Sequence, residues 1–343
     1  MNKLTNWIKN HQVTAFFVLV YAISWPLLIF YFSVLHGDPS LGALLEPFIV
    51  FSPALVAMWI SGIAEPRPKL ASSRPRWIAF VLAWLVSAPI LILYAWKIYK
   101  ADLVLAAIVY SIIALFPAWV LSSAYARTPG IRKHFSTLLK PRGPAAWYLV
   151  VFVIFPGIPL LGMGITRLFG GEADFFLADL GFRGAAIFLL LEFLHVFLMT
   201  GGINEESGWR GFALPRLQAR YPVIVSAGIV WFFWAAWHLP MDIGVGEPLP
   251  QILLNRVLFN LIFAILMTWL YNRTNGSILA PALFHAAMNA FGDQFSVNTA
   301  SIALFIGLAI FAIVYDRMWK KLPSCNPVNF QTPGLDEKQA ELP

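Results

Sequence analysis

The sequence predicts an all-α polytopic membrane protein, with about eight full transmembrane helices and two short or re-entrant ones around a polar intramembrane cavity. Three observations lead there. Of the 343 residues, 59% are hydrophobic and only 12% charged, where a soluble domain has about 45–50% apolar and about 25% charged residues. Mean hydropathy is +0.72. Finally, the basic residues gather in short loops that alternate along the chain with acidic ones, as the positive-inside rule requires. The net charge of +7 therefore belongs to membrane topology and not to nucleic-acid binding. The 29 Phe and 14 Trp suit lipid-facing helices with interfacial aromatics. One cysteine, Cys325, excludes an internal disulfide and a cysteine-based zinc site.

A short basic start with Lys3 and Lys9 precedes the first span, Val13–Leu35, which is too long for a signal-peptide core and reads as an uncleaved helix. Pro26 is a kink candidate. His36–Ser40 turns the chain into Leu41–Ile63, which carries Glu46. Arg67, Lys69, Arg74 and Arg76 mark the next loop as cytoplasmic. Trp77–Tyr94 and Leu103–Ala126 follow. Arg127–Pro144 holds five cations and no acid, the strongest cytoplasmic marker. Ala145–Gly164 is a span interrupted by Pro156 and Pro159, and Ile165–Gly184, with Glu172, Asp174 and Asp179, fits the outside. Ala185–Thr200 is short and contains Glu192 and His195. Val223–Leu239 ends at His238, Ile252–Tyr271 is full length, Ile278–Phe291 is short, and Ser301–Tyr315 is last. Runs of 14–16 residues fall below the roughly 20 needed to cross a bilayer. Backbone that breaks at depth is tolerated only around a protein-lined cavity. The alternation puts both termini in the cytoplasm. The chain divides into an N-terminal four-helix membrane region (1–144), a core (145–321) and a flexible polar tail (322–343).

The chemistry lies in Asn204-Glu205-Glu206-Ser207-Gly208-Trp209-Arg210, delivered by the helix-breaking Gly201-Gly202. An ionisable group at membrane depth costs roughly 2.5–3.5 kcal/mol on insertion scales, so such groups usually line a cavity and serve function. Glu206 and Arg210 stand i,i+4 and can pair. Glu205 is left as the candidate general base. The bland alternative is an acidic pair solvated at the lipid surface. Of six histidines, His11, His36 and His134 fall in loops or at span edges and are expected to be solvated. His195, His238 and His285 fall in apolar segments. A lone imidazole there more often glues helices. The set is more telling: His285 and Asn289 share a helix face at i,i+4, as do Trp234 and His238, with Trp234 an aromatic plate one turn from the imidazole.

Two imidazoles, a carboxamide and a carboxylate pair can supply the base, orienting partner and oxyanion donors that amide hydrolysis needs. Glu205, His238 and His285 would also suit a catalytic zinc, with a fourth position for water. Cofactor use is therefore none or Zn2+. The helical zincin signature and the serine nucleophile elbow are absent. Glu192 and His195, at i,i+3, read as a structural pair between helices, and Glu46 and Arg256 as interfacial residues that snorkel. A proton-coupled transporter and a non-catalytic immunity or scaffold protein also fit these residues. The lack of repeated halves counts against the transporter.

Glu205-Glu206-x-x-x-Arg210, Trp234-x-x-x-His238 and His285-x-x-x-Asn289, in this order between Ala185 and Phe291, resemble the signature of the CAAX protease and bacteriocin-processing family, also called CPBP or Abi. Leu214-Pro215-Arg216-Leu217 and Leu239-Pro240 resemble it as well. The family usually has Phe where Trp234 stands. The resemblance implies an intramembrane protease, described as glutamate-type or metalloprotease, acting on a membrane-anchored peptide or protein in a bacterial-type cell membrane. It implies that Glu205 and His238 activate water, that His285 and Asn289 stabilise the oxyanion, and that Glu206 and Arg210 orient the site. The span boundaries above separate Glu205 from His238 across the bilayer. Their cooperation requires the Gly201-Gly202 break to lie within the membrane and the helix of His238 to continue past it.

Overall fold

The computed structural model describes residues 3–36, 39–64, 72–292, 294–295 and 298–322. The basic stretch 65–71 and all of the tail beyond 322, Cys325 included, lie outside the described residues. The chain is α-helical, and seven helices are long and apolar enough to cross a membrane. It begins with α1 (Lys3–Asn10) and α2 (Gln12–Ser33), the first span. Next come α3 (Pro39–Val50) and α4 (Ser52–Ala64), bent by 43° and able to count as one broken span, which would make eight. A third crossing is α5 (Arg74–Lys97). Asp102 caps the fourth, α6 (Leu103–Ile113) with α7 (Leu115–Ser122), by accepting from the amides of Val104 and Leu105. After α8 (Pro129–Leu139), α9 (Ala146–Leu168) crosses again.

The sixth crossing differs from its expected form. Hydropathy suggests a short span stopping at Thr200, but Ala178–Gln218 runs as one 41-residue helical stretch. It contains α10 (Gly181–His195), a π-helical turn at Val196–Thr200, α11 (Ile203–Gly208), a second π-turn at Trp209–Ala213 and α12 (Leu214–Gln218). The polar motif does not end the helix: Asn204, Glu205 and Glu206 each bond to a residue of another element, Val50, Trp234 and His285. Similarly, α13 (Val223–Gly244) continues through Pro240, six residues beyond His238. Then come α14 (Leu249–Leu253), a π-turn at Leu254–Phe259 and α15 (Asn260–Arg273). The shorter helices are α16 (Leu279–Gly292, 14 residues) and α17 (Thr299–Tyr315, 17 residues). Of the three motif-bearing segments, only α16 keeps the short length the sequence suggested.

The apolar residues divide between two environments. Val81, Leu82, Leu85 and Val86 on α5 and Ile310, Phe311 and Val314 on α17 face outward, as lipid-facing surfaces do. The interior is aromatic and small. Phe17 stacks on Phe233 with ring centroids 3.9 Å apart. The Tyr21 hydroxyl donates to the Phe233 carbonyl at 2.5 Å, and the Trp237 indole donates to Ser24 Oγ at 2.7 Å. The first two crossings thus pack directly on the motif helices. At Gly208 a Cβ would sit 2.5 Å from Pro53 Cβ and 2.9 Å from Phe16 Cζ. Gly208→Ala is therefore expected to cost about 1–3 kcal/mol by overpacking, read as a lowered unfolding temperature in detergent; an unchanged melt would show that α4 yields.

His134 corrects the reading of residues 127–144 as a solvated loop. It lies on α8, 3% exposed, against Phe135 and Phe212. Burial, assisted by the nearby Arg216 charge, lowers its pKa to about 3, so the ring is neutral.

Candidate active site

The break at Gly201-Gly202 starts the site. Asn204 Oδ1 accepts from the Gly201 amide at 3.0 Å, and its Nδ2 donates 2.8 Å to the Val50 carbonyl at the end of α3. The side chain thus caps the broken helix and ties it to the first half of the chain. Gly201 is required for close approach: a Cβ there would lie 2.6 Å from His285 Nε2. Only a bare backbone lets α16 bring His285 against the motif.

Glu206 is the centre of the buried charge. One oxygen, Oε1, accepts from Arg210 Nη1 and from His285 Nδ1, both at 2.8 Å. Glu206 and Arg210 are both 0% exposed. The Arg210 guanidinium lies 4.5 Å from the centroid of the Trp234 ring, a cation–π contact inside low dielectric. Glu205, one residue earlier, points elsewhere: its Oε2 accepts from Trp234 Nε1 at 2.7 Å. Adjacent carboxylates thus have separate donors, which limits their mutual repulsion.

Trp234 does more than the aromatic plate expected of it. Its indole holds Glu205, its face holds Arg210, its edge meets His285 at a centroid distance of 5.5 Å, and its carbonyl is 2.7 Å from His238 Nδ1. A carbonyl can only accept, so His238 Nδ1 carries the proton. The neutral ring then presents Nε2 as a lone pair. The same argument applies to His285, whose Nδ1 donates to the Glu206 carboxylate. Both histidines are oriented by the partner of one nitrogen and left with the other for chemistry. The Phe of the family pattern would have no indole to donate to Glu205.

Glu205, His238, His285 and Asn289 line one cavity of about 870 Å³. Glu206 and Arg210 are not part of its lining; Glu206 reaches it through its contact with His285. The helix of His238 continues past it, as the sequence required, and the Gly201-Gly202 break lies inside the 41-residue apolar helical stretch Ala178–Gln218. For zinc the fit is poor: among the described residues no three His, Cys, Asp or Glu side chains are disposed to hold one metal ion, Glu205, His238 and His285 included.

Other polar residues behave differently from expectation. Glu46 and Arg256, expected as interfacial residues that snorkel, both line the cavity. Arg256 is held there by two hydrogen bonds to Asp242, at 2.7 and 2.6 Å. Glu192 accepts from the Tyr94 hydroxyl at 2.6 Å, and His195 stacks on the Tyr94 ring at 3.8 Å. They join α10 to α5 through Tyr94 rather than by pairing with each other. Asn204 and the donor role of Trp234 were missed in the sequence. The available signal for Asn204 was a carboxamide at membrane depth beside the acidic pair.

Comparison with known proteins falls on the same stretch. Residues 186–291 match the family described as Type II CAAX prenyl endopeptidase Rce1-like. The chain is similar to the CAAX prenyl protease 2 of Methanococcus maripaludis, with 27% identity over 179 residues, 49% of this chain and 65% of that relative. The chain thus spans slightly less than two thirds of the relative it matches.

Proposed function

We propose, starting from the match of residues 186–291 to the Rce1-like endopeptidases, that this integral membrane protein is an intramembrane endopeptidase. Its substrate would be a membrane-associated protein or peptide. The observation that carries this reading is the convergence of Glu205, His238, His285 and Asn289, from three separate helical segments, on one cavity. The name of the relative makes a prenylated CAAX-type peptide the first substrate to try; bacteriocin-type peptides, which rest on the motif resemblance alone, come second.

Hydrolysis would proceed as follows. A water hydrogen-bonded to Glu205 and to the Nε2 lone pair of His238 attacks the scissile carbonyl carbon as one of its protons passes to Glu205. The carbonyl oxygen takes up negative charge and is held by the Asn289 amide and by His285. Because His285 Nδ1 already donates to Glu206, Nε2 can donate only from the imidazolium form. Glu206 is the counter-ion for that form. With Glu205 ionised and His285 protonated, two carboxylates face one guanidinium and one imidazolium, and the buried set is neutral. The proton collected from water then passes to the leaving amine as the C–N bond breaks. Glu206 and Arg210 keep His285 in place.

The test is cleavage of a membrane-anchored reporter peptide by the purified protein in liposomes, with Glu205→Ala and His238→Ala compared at equal insertion. Loss of product with retained fold supports the reading. Cleavage that survives both changes overturns it. Gly201→Ala is a second probe. Its Cβ would displace the His285 ring from 2.6 Å, and misplacement on the scale of 1 Å costs about 10²-fold. Turnover is expected to fall by about that factor with helical content unchanged in circular dichroism.

A further inference from the structure

The cavity has a second polar wall that the hydrolytic residues do not use. Glu46 on α3, Tyr99 after α5 and Tyr110 on α6 line it, together with Arg256. The first three lie outside the stretch 186–291 that matches the family. Among the described residues the ion pairs are Glu206 with Arg210 and His285, Asp242 with Arg256, and Asp316 with Arg273. Glu46 is in none of them, and Arg256, the other charged group on the wall, is committed to Asp242. Tyr99 and Tyr110 line the same cavity as Glu46, and burial followed by the Glu46 charge raises the Tyr99 phenol above its ordinary pKa. Those hydroxyls can donate to a carboxylate but cannot neutralise it.

An acid without a cation in an apolar cavity is costly and is normally retained for function. Its position is also tied to the hydrolytic centre. Glu46 lies one helical turn, a rise of about 6 Å, from Val50, whose carbonyl is gripped by Asn204 beside Glu205. Glu46 and Glu205 line the same cavity.

Given the endopeptidase reading, we propose that Glu46, flanked by Tyr99 and Tyr110, is a specificity residue that receives a basic side chain of the substrate peptide. A lysine or arginine there would supply the missing cation, and the tyrosines would close the polar ring around it. Charge-assisted hydrogen bonds of this kind are worth roughly tenfold or more in affinity.

The experiment uses the full chain in liposomes and a fluorescent membrane-anchored peptide. The peptide carries Lys, or Gln in its place, at successive positions along the anchored segment. Two readouts are taken, kcat/KM for cleavage and equilibrium binding. At one position the wild type should favour Lys over Gln about tenfold in both. Glu46→Gln should bring that ratio close to one, mainly through KM, and Glu46→Lys should favour a Glu-bearing peptide. A Lys/Gln ratio that Glu46→Gln leaves intact, or the absence of any Lys preference in the wild type, overturns the proposal. Binding does not require turnover. If no peptide is cleaved, the endopeptidase reading falls, while the binding ratio still decides the role of Glu46.

Discussion

Glu205→Ala is expected to reduce peptide cleavage by about 10²–10⁴-fold, the usual contribution of a positioned general base. His238→Ala should fall in the same range. The two residues are proposed to handle the same water, so the double variant should be little worse than either single one, since groups that act as a unit are strongly non-additive. An additive double loss would mean that the two serve separate steps. Asn289→Ala removes one oxyanion donor and should cost about 10²–10³-fold in kcat, with KM little changed, because the interaction is made only in the transition state. The fold should survive these changes. Glu205 touches its neighbours through one indole hydrogen bond, and His238 through one carbonyl. Neither balances a buried cation alone. The measurement is turnover in liposomes beside circular dichroism and thermal melting in detergent. Glu205→Ala protein that cleaves within tenfold of wild type would remove Glu205 from the chemistry.

The membrane fold was legible because lipid leaves so few choices. Apolar runs of about 20 residues separated by short charged loops can hardly be anything else, and the expected crossings fall within a few residues of α2, α5, α6–α7 and α9. The errors have specific causes. Hydropathy reads Asn204 to Arg210 as the end of a helix, because it prices each polar group against lipid. It cannot see that Val50, Trp234 and His285 satisfy those groups from other helices. Five cations in 127–144 hide an amphipathic helix whose inward positions, Gly130, His134, Phe135 and Leu138, are buried. Of the site, the three motifs announced which residues meet. The alternation of charge could not show at what depth they meet. Trp234 was read by its aromatic ring, whereas its indole N–H and its backbone carbonyl set the orientation of Glu205 and His238. Glu46 was read from its place near a span end, but the bend between α3 and α4 is a tertiary feature, and it leaves this acid on the cavity wall.

Stability should depend most on the charged pair behind the cavity. Glu206→Ala leaves Arg210 fully buried, over the Trp234 ring, without the carboxylate it bonds to. Breaking a buried ion pair by removing one partner typically costs about 3–5 kcal/mol, because the remaining charge is stranded. The effect should be near the top of that range. Arg210 Nε and Nη2 have no hydrogen-bond partner among the described residues even with Glu206 present, so its solvation rests on Glu206 and the ring. Arg210→Lys should not rescue, since an ammonium cannot stack on Trp234 as a planar guanidinium does. The pair Glu206→Leu with Arg210→Leu is expected to behave otherwise. Replacing both members of a buried ion pair with apolar groups is often neutral or stabilising, so this double variant should recover most of the melting temperature lost by Glu206→Ala. It should remain inactive, because His285 loses the acceptor that fixes its Nδ1 proton and balances its imidazolium. A protein that is folded but does not cleave would assign the pair to positioning, with stability a consequence of burying it intact. If the double variant instead melts as low as Glu206→Ala, the pair is a structural requirement of the bundle, and its role in orienting His285 must be argued from other variants.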